Sequence, residues 1–195
     1  MGVYCSFIRL SDRNIEALIR LPNLVYTLLH FPEIPPQPVG GWLGKLLGLT
    51  KAAPPLPAAS MRPAPREADD EIDTGKAWHA IHFLLTGQAR PANGLLGFLC
   101  SGGAVIAGAD VGYGPPRAYT SDQVAALVAT LSRLDREALY QRYQPMEMDK
   151  QRVYPRIWAR DRDKGFEYIW GQFQRLRAFL GEAHARKQGL LVYYK

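Results

Sequence analysis

The sequence KGFEYIWGQFQRLRAFLGEAHARKQGLLVYY, residues 164–194, joins a long helical pattern to a strand, and this combination decides the fold. Its apolar residues recur at spacings of three and four, which predicts an amphipathic helix from about Lys164 to Lys187. These apolar positions are Phe166, Ile169, Trp170, Phe173, Leu176, Leu180 and Ala183. Gly189 ends the helix, and residues 190–194 have the apolar and aromatic composition of a strand.

Residues 2–10 predict a second strand, far from the first in sequence. Apolar side chains occur at both odd and even positions of this segment, which is typical of a strand that is covered on both faces. Ser11 or Asp12 then has the character of a helix N-cap, and apolar residues at helical spacing follow it.

The middle of the chain predicts helices separated by short strands. A helix is expected from Lys76 to Gly87, after an acidic patch whose charges favour a helix start. Further helices are expected after a cap at Thr120 or Ser121 and after a cap at Asp135.

Two short strands are expected at 104–108 and 117–119, on either side of a tight loop at 112–116. Pro145 and Pro155 favour a loop over residues 144–158. Strands near both ends with helices between them indicate an α/β fold, in which a small mixed sheet is packed by helices.

The composition favours one domain over residues 1–195. The chain has 195 residues, of which 47% are hydrophobic and 22% are charged, and this length is within the usual range of a single domain. Nine of the 15 prolines fall between residues 32 and 66. Proline at this density disfavours helix and central strand, so a Pro-rich flexible excursion is expected at about 32–66.

Several features favour a cytoplasmic location. The only cysteines, Cys5 and Cys100, are too few for a disulfide framework and lack metal-site spacing. The N-terminus has no secretory signal pattern, and no run of about 18 apolar residues predicts a membrane helix. We therefore expect a protein that does not associate with membranes.

The net charge of +6 is unevenly distributed. Residues 1–66 carry a charge of +4, residues 67–132 carry −4, and residues 133–195 carry +6. Acidic residues are interleaved with the arginines of the last segment, which is typical of solvated faces with local ion pairs. We therefore expect no nucleic-acid partner, and a polarised surface that favours an acidic protein partner.

Four motifs occur in order along the chain and together resemble a known family. They are the start Met1-Gly2 with Tyr4, the segment from Ile72 to Gly87, the segment from Asp110 to Arg117, and Val153-Tyr154-Pro155 with Trp158 before the long helix. They resemble the bacterial YfbM-like family, DUF1877, over nearly the whole chain outside 32–66. The resemblance implies a single-domain three-layer αβα-type sandwich. It implies no established chemistry, and therefore no catalytic residue.

His79 and His82 are three residues apart on one predicted helix. Such a pair can face one way and ligate a metal, with Asp110 as a candidate third ligand. Histidines next to a tryptophan, here Trp78, are more often partly buried and hydrogen-bonded. We favour that interpretation and predict neither a metal nor a cofactor.

The loop from Asp110 to Arg117 is the second candidate site. Tyr113 lies between two glycines, which permit close backbone approach, and tyrosine with arginine could bind an anionic or planar ligand. The alternative is a rigid turn in which Asp110 caps the backbone or pairs with Arg117. The candidate ligand or partner site therefore comprises Trp78, His79, His82, Asp110, Tyr113 and Arg117.

The sequence contains no complete catalytic constellation, so two hypotheses of different classes remain. The first is a non-enzymatic protein-binding module, in one form an immunity-type protein that neutralises a toxin domain. The second is a small-molecule-binding protein or enzyme whose pocket is built from the 78–82 helix and the 110–117 loop.

Overall fold

A computed structural model describes residues 2–30 and 70–195. The Pro-rich excursion predicted at 32–66 lies outside the described residues. The strands are β1 (Cys5–Leu10), β2 (Glu71–Asp73), β3 (Ala104–Val105), β4 (Arg117–Tyr119) and β5 (Gly189–Tyr194). The α-helices are α1 (Asp12–Arg20), α2 (Leu24–Leu28), α3 (Trp78–Thr86), α4 (Ser121–Leu131), α5 (Arg136–Tyr140), α6 (Pro145–Lys150) and α7 (Trp158–Ala185).

The strands form one sheet in the order β2-β1-β5-β4-β3. Every pairing in this sheet is antiparallel, so the prediction of a mixed sheet is wrong. The register gives the reason, because Gly189 at the start of β5 pairs with Leu10 at the end of β1. The end of β4 also lies beside the start of β5, through the pairing of Tyr119 with Leu190. The central strand β5 therefore runs opposite to both neighbours.

Both faces of the sheet are covered, which confirms the predicted three-layer α/β sandwich. Alternate residues of β1 point to opposite sides, and all six are buried, as the apolar residues on both faces predicted. On one side Ile8 and Leu191 pack with α1, α2 and the segment after β3. On the other side Phe7 and Val192 pack with α3 to α7.

The helix α7 is longer than predicted and is interrupted near its start. Arg162 has a non-helical conformation, with φ 45° and ψ −125°, so α7 consists of one short turn followed by a long helix. The long part agrees with the helix predicted from Lys164. Of the helices in residues 2–30 and 70–195, none combines the length and the apolar character needed to cross a bilayer.

Two segments differ from the sequence prediction. Residues 144–158 were expected to be a loop, yet they contain α6, because Pro145 occupies the first helical turn, where a missing N–H costs nothing. The acidic patch was expected only to precede a helix, yet Glu71–Asp73 form the edge strand β2. An edge strand tolerates charges because one side of it faces solvent.

A buried arginine lies in the core between the sheet and α7. The Arg9 side chain is fully buried, and its guanidinium lies 4.6 Å from the centroid of the Phe179 ring. It forms ion pairs with Glu182 on α7 and, at 3.5 Å, with Asp70 beside β2. Arg9 therefore joins β1, the β2 edge and α7 through one charged group.

Candidate functional site

The predicted loop site divides into two parts in the structure. Asp110 accepts hydrogen bonds through one carboxylate oxygen from the amides of Gly112 (2.9 Å) and Gly114 (3.1 Å). Both glycines have positive φ, which the turn requires. The Asp110 amide donates to the Tyr26 hydroxyl of α2 at 3.0 Å. Asp110 therefore caps its own turn against α2, which is the rigid-turn alternative, and Tyr113 at the tip is 53% exposed.

His79 is fixed through both ring nitrogens. Its Nδ1 accepts from the Tyr154 amide at 3.0 Å, so the proton is on Nε2, which donates to the Ala89 carbonyl at 2.7 Å. The ring stacks on Trp78, with centroids 4.8 Å apart, and the Trp78 indole donates to the Val3 carbonyl at 3.1 Å. Burial lowers the pKa of His79, which keeps this neutral tautomer at neutral pH. His79 therefore has no lone pair left for a ligand.

His82 and Arg117 are both buried, and each has an unused polar atom. His82 Nε2 donates to the Arg90 carbonyl at 2.8 Å, while its Nδ1 has no hydrogen-bond partner in the described chain. Arg117 Nη2 donates to the Leu99 carbonyl at 2.7 Å, while Nη1 likewise has no partner there. Burial lowers the pKa of His82, and the positive charge of Arg117 lowers it further.

The structure therefore brings four of the six predicted residues to one side of the sheet. Trp78, His79 and His82 lie on α3, which packs on the face of the sheet to which Tyr119 points. Arg117 is the fourth residue, because it lies two positions before Tyr119 on β4 and therefore faces the same side. Asp110 and Tyr113 belong to the loop that packs against α2. The rings of His79 and His82 are 6.4 Å apart. Within residues 2–30 and 70–195, no group of three or more side chains has a metal-binding arrangement.

A second surface, which the sequence did not indicate, surrounds α6. We define the α6 face as the exposed surface of α5, α6 and the start of α7. On one side of α6 is a cleft of about 420 Å³, lined by Tyr140, Tyr143, Pro145, Met146, Ala159, Arg162 and Asp163. On the other side is a polar cleft of about 410 Å³, which Gln141, Gln144 and Gln151 help to line. Met146 is 74% exposed and Tyr140 is 39% exposed.

Three exposed arginines flank this surface in an unusual backbone conformation. Arg152, Arg156 and Arg162 have φ values of 62°, 64° and 45°. Positive φ is costly for a residue with a side chain, and such conformations are frequent at functional sites. In the described part of the chain, none of the three guanidiniums forms an ion pair.

The acidic residues near these arginines have other partners. The Asp149 carboxylate accepts from the amides of Trp158 and Ala159, at 3.2 and 2.9 Å, and so fixes the start of α7 to α6. Asp161 pairs with Arg160, and Asp163 accepts from the Tyr140 hydroxyl at 3.1 Å. The three arginines therefore present their positive charge to solvent.

Comparison with known proteins identifies the family. The family model described as a domain of unknown function, DUF1877, matches residues 1–193. The chain belongs to the DUF1877 family. This membership confirms the resemblance that the four sequence motifs carried.

A solved structure supports the fold of this DUF1877 chain. The chain is similar to the crystal structure of YfbM, a protein of unknown function from Escherichia coli, with a TM-score of 0.64 and 16% sequence identity. The match covers 97% of this chain and 98% of the other. At this identity the likeness shows a shared fold alone. No curated protein matches the chain.

The sequence does not predict the α6 face, because Pro145 and Pro155 favour a loop over residues 144–158. The signal that could have found α6 is Pro145 at a first helical position, followed by Glu147 in the first turn. The sequence contains no signal for the positive φ values, because an arginine does not indicate that conformation.

Proposed function

We propose that this DUF1877 protein is a non-enzymatic protein-binding module whose contact surface is the α6 face. The observation that carries the proposal is Met146, whose side chain is largely exposed beside Tyr140 and Arg162 in the cleft next to α6. Tyrosine, methionine and arginine are enriched in protein interfaces, and tyrosine and arginine are frequent among the few residues that carry most of the binding energy.

Charge supports an acidic partner. Residues 136–164 contain eight basic and five acidic residues, and the three arginines with positive φ form no ion pair in the described chain. A partner surface rich in carboxylates would pair with these guanidiniums and would be steered toward them. The apolar cleft would then accept an apolar side chain of the same partner.

The specific form that we propose is an immunity-type protein that neutralises a toxin domain. Neutralisation requires only that a partner's working surface is covered, so an exposed anchor and complementary charge are sufficient. The uneven charge along the chain also suits an acidic toxin domain or an acidic cleft within one. This form goes beyond family membership, since fold does not determine function.

A photo-crosslinking experiment in the native host tests the proposal. A crosslinking residue at position 146 should capture a defined protein, whereas one at position 19, an exposed isoleucine on the opposite side of the sheet, should not. The captured protein is then purified and its affinity measured directly. We expect Met146→Glu or Arg156→Glu to weaken binding about 30-fold, which corresponds to about 2 kcal/mol.

Ile19→Glu is the matched control, and it should leave the affinity unchanged. If the partner is a toxin domain, coexpression of the wild-type chain should relieve its toxicity and Met146→Glu should not. Capture of nucleic acid at position 146, or a purified partner that binds both variants as tightly as the wild type, would contradict the proposal.

A further inference from the structure

The polar cleft beside α6 contains groups of both charges. Its volume is about 410 Å³, which is within the range of small-molecule sites. Its lining includes Arg142, which follows α5, and Glu147 of α6. It also includes Leu85 and Thr86, the last two residues of α3. A cation, a carboxylate and a helix C-terminus therefore line one cleft.

Two hydrogen bonds fix the walls of this cleft. Arg142 Nη1 donates to the Leu84 carbonyl at 3.3 Å, which joins the segment after α5 to α3. The Ala89 amide donates to Gln151 Oε1 at 3.2 Å, which joins the segment after α3 to the end of α6. A site whose walls are already fixed loses less conformational freedom when a ligand binds, so this cleft is preorganised.

Glu147 presents an ionised carboxylate to the cleft. Gln151 Nε2 donates to Glu147 Oε1 at 2.9 Å, and this bond lowers the pKa of Glu147, so the group is charged at neutral pH. Lys150 pairs with the other oxygen at 3.4 Å, but its side chain is 79% exposed and such a pair is weak. The carbonyls at the end of α3 add partial negative charge. A second ammonium group can therefore bind beside Glu147.

Arg142 supplies the positive charge. In residues 2–30 and 70–195 its guanidinium forms no ion pair. The bond to the Leu84 carbonyl uses one of its five N–H donors. The remaining donors can bind a carboxylate through two parallel hydrogen bonds, the geometry that a guanidinium favours.

We propose that this cleft binds a small zwitterion, the chemical class of free amino acids and short peptides. The ligand carboxylate accepts from Arg142, and the ligand ammonium donates to Glu147. Phe83 and Leu85, which also line the cleft, add apolar surface for the carbon atoms of the ligand. The cleft is on the other side of α6 from Met146, so this site goes beyond the proposed function and needs no protein partner.

Titration of the purified wild-type protein, followed through its amide resonances in nuclear magnetic resonance spectra, tests the site without any variant. Alanine and alanylalanine represent the two sources of zwitterion, and the tighter of them identifies the ligand. N-acetylalanine lacks the ammonium and alanine amide lacks the carboxylate, so each should bind at least about tenfold more weakly than alanine. The shifted amides should include those of Gly87 and Gln144 in the cleft and none in α1.

Two variants assign the two charges. Arg142→Gln should weaken alanine binding about tenfold and leave the affinity for alanine amide unchanged, because that ligand has no carboxylate. Glu147→Gln should weaken alanine binding equally and leave the affinity for N-acetylalanine unchanged. Arg133→Gln and Glu16→Gln, at exposed residues outside the cleft, are the matched controls and should bind alanine as the wild type does.

Four results would overturn the proposal. They are the absence of shifts with both zwitterions, N-acetylalanine or alanine amide that binds as tightly as alanine, shifted amides that lie away from the cleft, and full affinity in Arg142→Gln and Glu147→Gln. None of them would change the expected capture of a protein at position 146.

Discussion

The Tyr143 hydroxyl donates a hydrogen bond to the Arg162 carbonyl at 2.8 Å, across the interruption of α7. Arg162 has a positive φ there, and the Tyr143 hydroxyl supplies its carbonyl with a side-chain donor. Burial raises the pKa of the Tyr143 hydroxyl, so it remains a donor across the physiological range. This contact therefore joins the segment after α5 to the start of α7, which are two parts of the α6 face.

Removing this hydroxyl should loosen the α6 face. We expect Tyr143→Phe to lower the free energy of unfolding by about 1 kcal/mol, because the Arg162 carbonyl loses this hydrogen bond. Amide hydrogen exchange should accelerate locally in residues 158–166. Tyr113→Phe is the control, since that exposed ring lies in the loop after β3, and it should change neither quantity. Unchanged exchange in Tyr143→Phe would show that the bond does not hold the interruption.

Gly189 allows β4 and β5 to approach closely. A Cβ at this position would overlap the Tyr119 carbonyl oxygen and Ile15 Cδ1. The carbonyl is fixed in the sheet, so we expect Gly189→Ala to destabilise the fold by about 2 kcal/mol or more in urea unfolding.

Gly171→Ala should have the opposite sign. Gly171 is exposed in the middle of α7, and in residues 2–30 and 70–195 a Cβ built there would meet no atom within 4 Å apart from its chain neighbours and the backbone of its own helix. Alanine is the better helix former, so this variant should gain about 0.5–1 kcal/mol. Equal stability of the two alanine variants would refute this account of the β4–β5 approach.

Arg9 should contribute much more to stability than an exposed arginine. We expect Arg9→Ala to lower the free energy of unfolding by about 3 kcal/mol, because it leaves a cavity under Phe179 and disrupts a buried ion pair. Arg20→Ala removes only an exposed pair with Glu16 on α1, and it should cost less than about 1 kcal/mol. Comparable losses in chemical denaturation would contradict the central place of Arg9.

Acid should destabilise the fold through His79 and His82. Burial lowers the pKa of both in the folded state, so the unfolded chain binds protons first as pH falls below about 6.5. The stability that both neutral rings contribute is therefore complete above that pH and is lost as pH falls through the folded pKa values. Urea unfolding at pH 7 and pH 5 should show this loss.

The double variant His79→Gln/His82→Gln should lose less stability between pH 7 and pH 5 than the wild type. His184→Gln, at an exposed histidine of α7, should lose as much as the wild type. If the double variant kept the full pH dependence, the two buried rings would not be its source.

Local signals predicted much of the fold. Ser11, Thr120 and Asp135 each cap a helix through a side-chain bond to a nearby amide, and Gly87 ends α3 with a positive φ. These features depend on residues within one turn, so a sequence pattern can reveal them. The strand β2 could not be found in this way, because three residues pair only once β1 is beside them.

The candidate site shows that such local patterns do not predict which side chains come together. Asp110, Tyr113 and Arg117 are neighbours in sequence, yet the loop turns toward α2 while the Arg117 side chain bonds the Leu99 carbonyl. Asp110 and Tyr113 belong to a turn, whereas Arg117 begins β4, so closeness in sequence did not place these side chains together. The unused atoms of His82 and Arg117 depend on packing between distant segments, which no local pattern contains.

The position of β5 has a consequence for how the protein is made. β5 is the central strand, between β1 and β4, yet it is translated about 180 residues after β1. While the ribosome is still adding α7, Phe7 and Ile8 have no central neighbour, and their apolar surfaces stay open to chaperones or to other nascent chains. Contacts of such long range also slow folding, so completion of the sheet should be a late folding event.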